Sequence, residues 1–245
     1  MRIQKSVHTS LVTALAVAGG LALASTASAD LLSDLIANDG TITDGDTIFS
    51  DFECTEIAEG STAGGCDSLN VVALSTSGES DHHGLYFTGG LAAFGEGSLL
   101  DVTLSYTVTA TGGLIDEISL AFNGTVSSTT QGVSTITETV KSAGNIVGQI
   151  SVNSPTDLQD PPFEVNSDVP LTDTYSTLRV TKDILLATSS CPTPGATALA
   201  VCQPLSSIST IEQDYGQVPE PATLGLLGIG LAAFGFASRK RKLRV

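Results

Sequence analysis

The stretch "SLLDVTLSYTVTATGG" alternates strictly: Leu100, Val102, Leu104, Tyr106 and Val108 fall on one face, and Asp101, Thr103, Ser105, Thr107 and Thr109 on the other. A period of two is that of an extended chain with one face buried, and an amphipathic helix cannot accommodate it. Gly112-Gly113 breaks the run, and "LIDEISLAFNGTVS" reads as its continuation or partner. Related stretches follow at "NVVALSTS", "VSTITETVK", "NIVGQISVN", "TYSTLRVTKDILLAT" and "SSISTIEQDY", separated by Gly, Asn, Asp and Pro as turns require. Short strands without intervening helices predict an all-β fold, an antiparallel β-sandwich or jelly roll with its sheets face to face. Phe49, Phe52, Phe87, Phe94, Tyr106 and Phe122 are its expected large core residues. The exception is "ADLLSDLIANDG", where Leu31, Leu32, Leu35 and Ile36 suit one face of a short helix ending near Asn38 to Gly40.

Both ends of the chain differ from this middle. Residues 1–29 carry Arg2 and Lys5, an uncharged run from Leu11 to Leu23, and Ala27-Ser28-Ala29, the plan of a secretory signal peptide. The run is short for a membrane span, and the small residues Ala27 and Ala29 suit signal peptidase cleavage before Asp30. Residues 30–217 are expected to form one exported domain.

That domain is strongly acidic. Its only Lys and Arg are Lys141, Arg179 and Lys182, against 25 Asp and Glu. Such a surface repels a phosphate backbone, which excludes nucleic acid as a partner; it suits solubility, weak cation binding or charged polysaccharide surroundings. All four cysteines lie here, and in an oxidising compartment they imply two disulfides. Three pairings are open, and Cys54 with Cys66 and Cys191 with Cys202 is favoured because each pair closes a short Gly- or Pro-containing loop. Zinc would want Cys-x-x-Cys spacing, which the sequence lacks.

Residues 218–245 follow a third plan. Pro221 to Ser238 contains no charge, and as a helix its 18 residues would span about 27 Å, close to the hydrocarbon thickness of a bilayer. Arg239, Lys240, Arg241, Lys242 and Arg244 come next, and the positive-inside tendency holds such a cluster, residues 239–245, in the cytoplasm. Ahead of the helix, residues 219–221 form Pro219-Glu220-Pro221, whose prolines keep the backbone extended, the form that processing enzymes accept.

Val218-Pro219-Glu220-Pro221-Ala222, an apolar segment and an Arg/Lys cluster, in that order, resemble the PEP-CTERM sorting signal of Gram-negative bacteria, a region also known as the ice-binding protein C-terminal domain. The resemblance covers about 28 residues. It implies recognition by an exosortase, a membrane cysteine transpeptidase-like enzyme, with cleavage near the triplet. It also implies an exopolysaccharide setting, with the chain anchored in the inner membrane before processing and found at the cell surface or outside the cell afterwards. More loosely, "TITDGDTIFSDFECT", with Gly45-Asp46 ahead of Phe49 and Phe52, and "LRVTKDILLAT" followed by "SSISTIEQDYG" resemble segments of other exported PEP-CTERM proteins.

Candidate chemistry in the middle is sparse. "GESDHHGLYFTGG" sets Asp81, His82 and His83 together as potential metal ligands, although adjacent strand side chains point to opposite faces. "NDGTITDGDT" offers Asp39, Asp44 and Asp46, oxygen ligands of the kind calcium uses, without an EF-hand ladder. No Gly-x-Ser-x-Gly elbow occurs, and the only other histidine, His8, lies in the signal peptide, so nucleophilic catalysis has no base at a distance. Carboxylates are too numerous for a glycosidase pair to be picked out. The expectation is a non-enzymatic exported surface or matrix protein with no cofactor other than a possible calcium ion. The alternative is an extracellular carbohydrate-binding module, for which Tyr86, Phe87, Tyr175 and Tyr215 would have to supply the aromatic platform that absent Trp does not. Ice binding favours regular Thr arrays, and the Thr spacing here is irregular.

Overall fold

The computed structural model describes residues 29–74, 82–126, 132–154, 163–189 and 204–219. In chain order the elements are β1 (Asp30–Leu31), α1 (Leu32–Ala37), β2 (Ile42–Asp44), β3 (Thr47–Ala63), a 3-10 turn (Cys66–Ser68), β4 (Asn70–Ala73), β5 (His82–Ala110), β6 (Gly113–Val126), β7 (Gly132–Ser142), β8 (Asn145–Asn153), β9 (Phe163–Tyr175), β10 (Thr177–Thr188) and β11 (Leu205–Pro219). All strand pairings among the described residues are antiparallel. The fold is mostly antiparallel β, with a barrel-like sheet.

In place of two separate sheets, a single eleven-stranded sheet runs β8-β7-β10-β5-β11-β6-β9, with β3 and β4 paired to β5, β2 to β3 and β1 to β4. The long strand β5 makes this possible. Its second half pairs with β10, from Thr177↔Thr109 to Ala187↔Leu99, and with β3, from Thr47↔Ala110 to Glu59↔Leu99. Its first half pairs with β11, from Leu205↔Phe94 to Gly216↔His82, and with β4. Between the halves, Gly95 (φ 81°) and Gly97 (φ 68°) take left-handed conformations, as does Gly60 (φ 74°) at the facing irregularity of β3. A Cβ on Gly60 would lie 2.6 Å from Ser98 Oγ, so this corner requires glycine. Ser98 and Thr188 tie it: the Ser98 amide donates to Thr188 Oγ1 (2.9 Å), and Ser98 Oγ donates to the Phe94 carbonyl (2.8 Å). The sheet thus curls until β10 lies over β11, and β8 meets β9 at the far side.

Alternation fills the interior. Leu100, Val102, Leu104, Tyr106 and Val108 of β5 are fully buried, as are Leu178, Val180, Ile184 and Leu186 of β10. Phe49, Phe52 and Phe87 surround Tyr106 with ring centroids 5.7–6.3 Å away, and the Tyr106 and Tyr215 hydroxyls are hydrogen-bonded at 2.8 Å. Phe94 departs from expectation: at the β5 corner it is 42% exposed, because the bend turns it out of the core. The helix forms as α1, burying Leu32 and Leu35, while Leu31 belongs to β1 and stays exposed. Cys54 and Cys66 form the expected disulfide, tying β3 to the 3-10 turn. Cys191 and Cys202 lie outside the described residues.

One group in the core is polar. Lys182 of β10 and Glu138 of β7 are direct cross-strand partners, Gln213 of β11 reaches them from the opposite layer, and all three are fully buried. Lys182 Nζ donates to Glu138 Oε2 and to Gln213 Oε1. Burial pushes the Glu138 carboxyl up and the Lys182 amine down from their ordinary values, and each opposes the other's shift.

Candidate functional site

The residues singled out for metal chemistry meet in part. Gly45 and Asp46 form the tight turn of the β2–β3 hairpin, in which Asp44 pairs with Thr47. Gly45 has φ 58°, and a Cβ there would lie 2.2 Å from His83 Cε1, so the imidazole of β5 packs directly on the turn. His83 Nε2 is 3.0 Å from Asp46 Oδ1, close in distance but without hydrogen-bond alignment. The Thr111 amide (2.8 Å) and hydroxyl (2.6 Å) both donate to the Asp46 carbonyl. Asp44, 7% exposed, accepts from the Gly84 amide at 2.9 Å. Burial raises its carboxyl above the ordinary aspartate value despite the Gly84 hydrogen bond and the nearby His83.

These contacts latch the hairpin onto the start of β5 and the β5–β6 turn. They do not assemble a cation site: Asp44 and Asp46 have separate partners, Asp39 is exposed beyond α1, and no group of three or more His, Cys, Asp or Glu is placed to hold a metal among the described residues. Asp81 lies outside the described residues, and His82 is described only in its backbone pairing with Gly216.

Strand β11 carries the chain out of the domain at the same end. Up to Gly216 it is flanked by β5 and β6; from Gln217 to Pro219 it pairs with β6 alone, as Gln217↔Ile115, Val218↔Leu114 and Pro219↔Gly113. Gln217 is 8% exposed, and its Nε2 donates to Thr47 Oγ1 beside the hairpin turn. Pro219 closes the strand, a position where its missing N–H breaks no ladder. The extended backbone anticipated for the proline triplet is therefore that of β11 itself, which continues through Val218 and Pro219. Glu220, Pro221 and the rest of the tail, with Arg239, Lys240, Arg241 and Lys242, lie outside the described residues, as does Ala27; Ala29 is the first residue described. No helix among the described residues is long and apolar enough to cross a membrane.

Residues 217–242 match the family model described as the PEP-CTERM protein-sorting motif. The chain carries a PEP-CTERM motif. That motif implies an exported substrate processed by an exosortase in a Gram-negative bacterium. The matched segment begins inside β11, so the PEP-CTERM signal and the β domain share a strand with no linker between them. Curated proteins give no match. Among solved structures, similarity extends to TmCBM61 in complex with β-1,4-galactotriose (12% identity, TM-score 0.30, 68% of this chain and 88% of that one). It extends also to CsCBM6-3 from Clostridium stercorarium in complex with cellobiose (17%, 0.24, 67% and 94%) and to the tailspike protein 4 enzymatically active domain of bacteriophage CBA120 (12%, 0.25, 68% and 19%).

The outer surface of the β5–β11–β6 layer holds a small cleft of about 140 Å³ lined by Tyr86, Ala121, Phe122, Asn123, Thr210 and Glu212. Of the four aromatics considered for a sugar platform, Phe87 and Tyr215 are excluded by burial, because the strand period turns them inward. Tyr175 is half-buried, and Tyr86 alone of the four lines the cleft.

Proposed function

We propose that the protein is a non-enzymatic surface or matrix component whose curled β domain is displayed through its C-terminal signal. On this reading residues 1–29 are a signal peptide removed by signal peptidase, residues 30–217 the β-sandwich-like exported domain, and residues 218–245 the sorting signal. Within that signal, residues 221–238 form the transmembrane helix that holds the precursor in the inner membrane, and residues 239–245 its cytoplasmic tail. Exosortase cuts next to Pro219-Glu220-Pro221, and the product enters an exopolysaccharide-linked cell surface or medium.

The observation that carries the reading is the position of the triplet, which starts on the last residue of β11. Cleavage there would release a complete sheet without a loose tail, and the folded domain would itself limit how deeply a protease reaches. Replacing Pro219, Glu220 and Pro221 with alanine is expected to leave the precursor in the membrane, as judged by intact mass in envelope and medium fractions; unchanged processing would refute the reading.

The cleft supports a second reading, carbohydrate binding, since it sets an aromatic ring beside the amide, hydroxyl and carboxylate of Asn123, Thr210 and Glu212. A glycan array probed with the intact protein and with Tyr86→Ala tests it: signals lost in the variant support the cleft, and an array without signals removes the reading.

A further inference from the structure

Lys182 is one of three Lys and Arg residues in a domain with 25 acids, and it sits fully buried between the two layers. An ammonium there would ordinarily be met by one carboxylate and the arrangement would end as an ion pair. Here the amine has two partners of different chemistry. Glu138 is its cross-strand neighbour on β7, and Gln213 approaches from β11 in the other layer, with its side-chain oxygen in contact with Nζ. Glu138 lies against the Gln213 side chain as well as the amine. Its Oε1 is buried without a hydrogen-bond partner. Tyr106 and Tyr215, fully buried and bonded to each other, close off the same interior. The three functional groups are therefore an amine, a carboxamide and a carboxyl held in contact in a site closed to water.

We propose that Lys182 and Gln213 are joined by an intramolecular amide bond that forms in the folded core, with Glu138 relaying the proton. Lys182 Nζ, as the neutral amine, attacks Gln213 Cδ. The Nζ–Cδ bond forms, and the Cδ–Nε2 bond breaks with its electron pair leaving on nitrogen. Glu138, as the protonated acid, gives its proton to Nε2, which departs as ammonia, and takes up the proton given up by Nζ. One amine and one primary amide become one secondary amide and ammonia, with no oxidant, cofactor or water required.

The surroundings suit each step. Burial pushes Lys182 toward the neutral amine and Glu138 toward the protonated acid, the forms needed for attack and for protonating the leaving nitrogen. Contact among the three groups replaces a bimolecular encounter. The Gln213 Nε2 is held by the Asp214 carbonyl at 3.3 Å, which keeps the leaving nitrogen apart from the amine. The product would be a covalent tie between β10 and β11, across the two layers and away from the Cys54–Cys66 disulfide at the edge of the fold.

The test is peptide mass mapping of the full chain recovered from its native envelope and medium, denatured, reduced and digested with trypsin and a glutamate-specific protease. A cross-linked protein resists trypsin after Lys182 and yields the Lys182 segment attached to the segment beginning at Gln213, about 17 Da lighter than the two free peptides together through loss of ammonia. Lys182 and Gln213 recovered in separate peptides from the natural chain, with Gln213 intact or closed to pyroglutamate, overturn the proposal. So does a Lys182–Glu138 link, lighter by about 18 Da through loss of water, or a Gln213 converted to Glu. In Glu138→Gln the two peptides are expected at full mass; a link that persists there overturns the proton-relay role. The natural chain decides whether the bond exists even if that variant fails to fold.

Discussion

Arg179 and Lys182 belong to the same strand and face opposite ways. Arg179 points outward and reaches across β5 to β3: Nη1 donates to the Asp51 carbonyl (2.7 Å), and Nη2 donates to Ser105 Oγ (2.8 Å) and pairs with Glu53 Oε2 (2.8 Å). Its side chain is 32% exposed and that of Glu53 73%, so water competes for every one of these contacts. Lys182 points inward, fully excluded from water, with Glu138 and Gln213 as its only polar partners among the described residues. A basic residue is thus a replaceable clamp on one face of the strand and an obligatory partner on the other. The distinction comes from desolvation, since water reaches one side chain and not the other.

The largest effect should come from the inner face. Lys182→Met leaves Glu138 buried without the amine, and we expect a loss of about 3–5 kcal/mol in chemical denaturation. A loss no greater than that of an outer-face variant would erase the contrast between the two faces.

A smaller effect is expected from pH. Asp44, which packs against Gly84 and His83, and Asp101 of β5, which shares its surface with Asp183 of β10, both titrate above the ordinary 3.8 in the folded state, chiefly through desolvation. The folded protein therefore binds more protons than the unfolded chain in a window that opens at 3.8 and extends upward. Their contribution to stability is complete below that value and is lost as pH rises through the folded values. Thermal melting should thus occur at higher temperature in mildly acidic than in neutral buffer, with the slope reduced in Asp44→Asn. A melting temperature that climbs steadily toward neutrality would contradict the assignment.

The smallest effect belongs to the outer face. Arg179→Met should cost about 0.2–1 kcal/mol and less at high salt, as exposed pairs do. Equal costs in low and high salt would mean that its hydrogen bonds across β5 matter more than its charge.

Much of the fold was legible. The second half of β5 and strands β6, β7, β8, β10 and β11 all follow apolar alternation, because each has one face in the interior. Strand β3 was not legible: from Glu53 onward its residues are mostly exposed, so no apolar period marks it, and only pairing with β5 keeps it extended. Nor was the first half of β5, where Gly84, Gly89 and Gly90 interrupt the pattern. The sorting signal was read directly, because its order of proline triplet, apolar segment and bases is local.

The buried polar triad is not legible in the sequence, although it leaves a signal there. Lys182 stands in register with Leu178, Val180, Ile184 and Leu186, and Glu138 with Ile136 and Val140, on faces otherwise apolar. A charge on the apolar face of a strand is a warning that something must meet it. What meets it could not be read, since β7, β10 and β11 are separated in sequence. Likewise His83 and Asp46 belonged to two unrelated motifs until β5 brought the imidazole onto the hairpin turn.

The sequence alone therefore determined the all-β character, the half-buried faces and the sorting signal, because strand period and signal order are properties of neighbouring residues. It took the folded chain to set one bent strand between both halves of the sheet and to start the sorting triplet on a paired strand. The tertiary structure alone decided that the amine, carboxyl and carboxamide of three distant strands would share one dry interior. Such outcomes depend on where the chain folds back on itself, and that is set by long-range packing and pairing that no local pattern encodes.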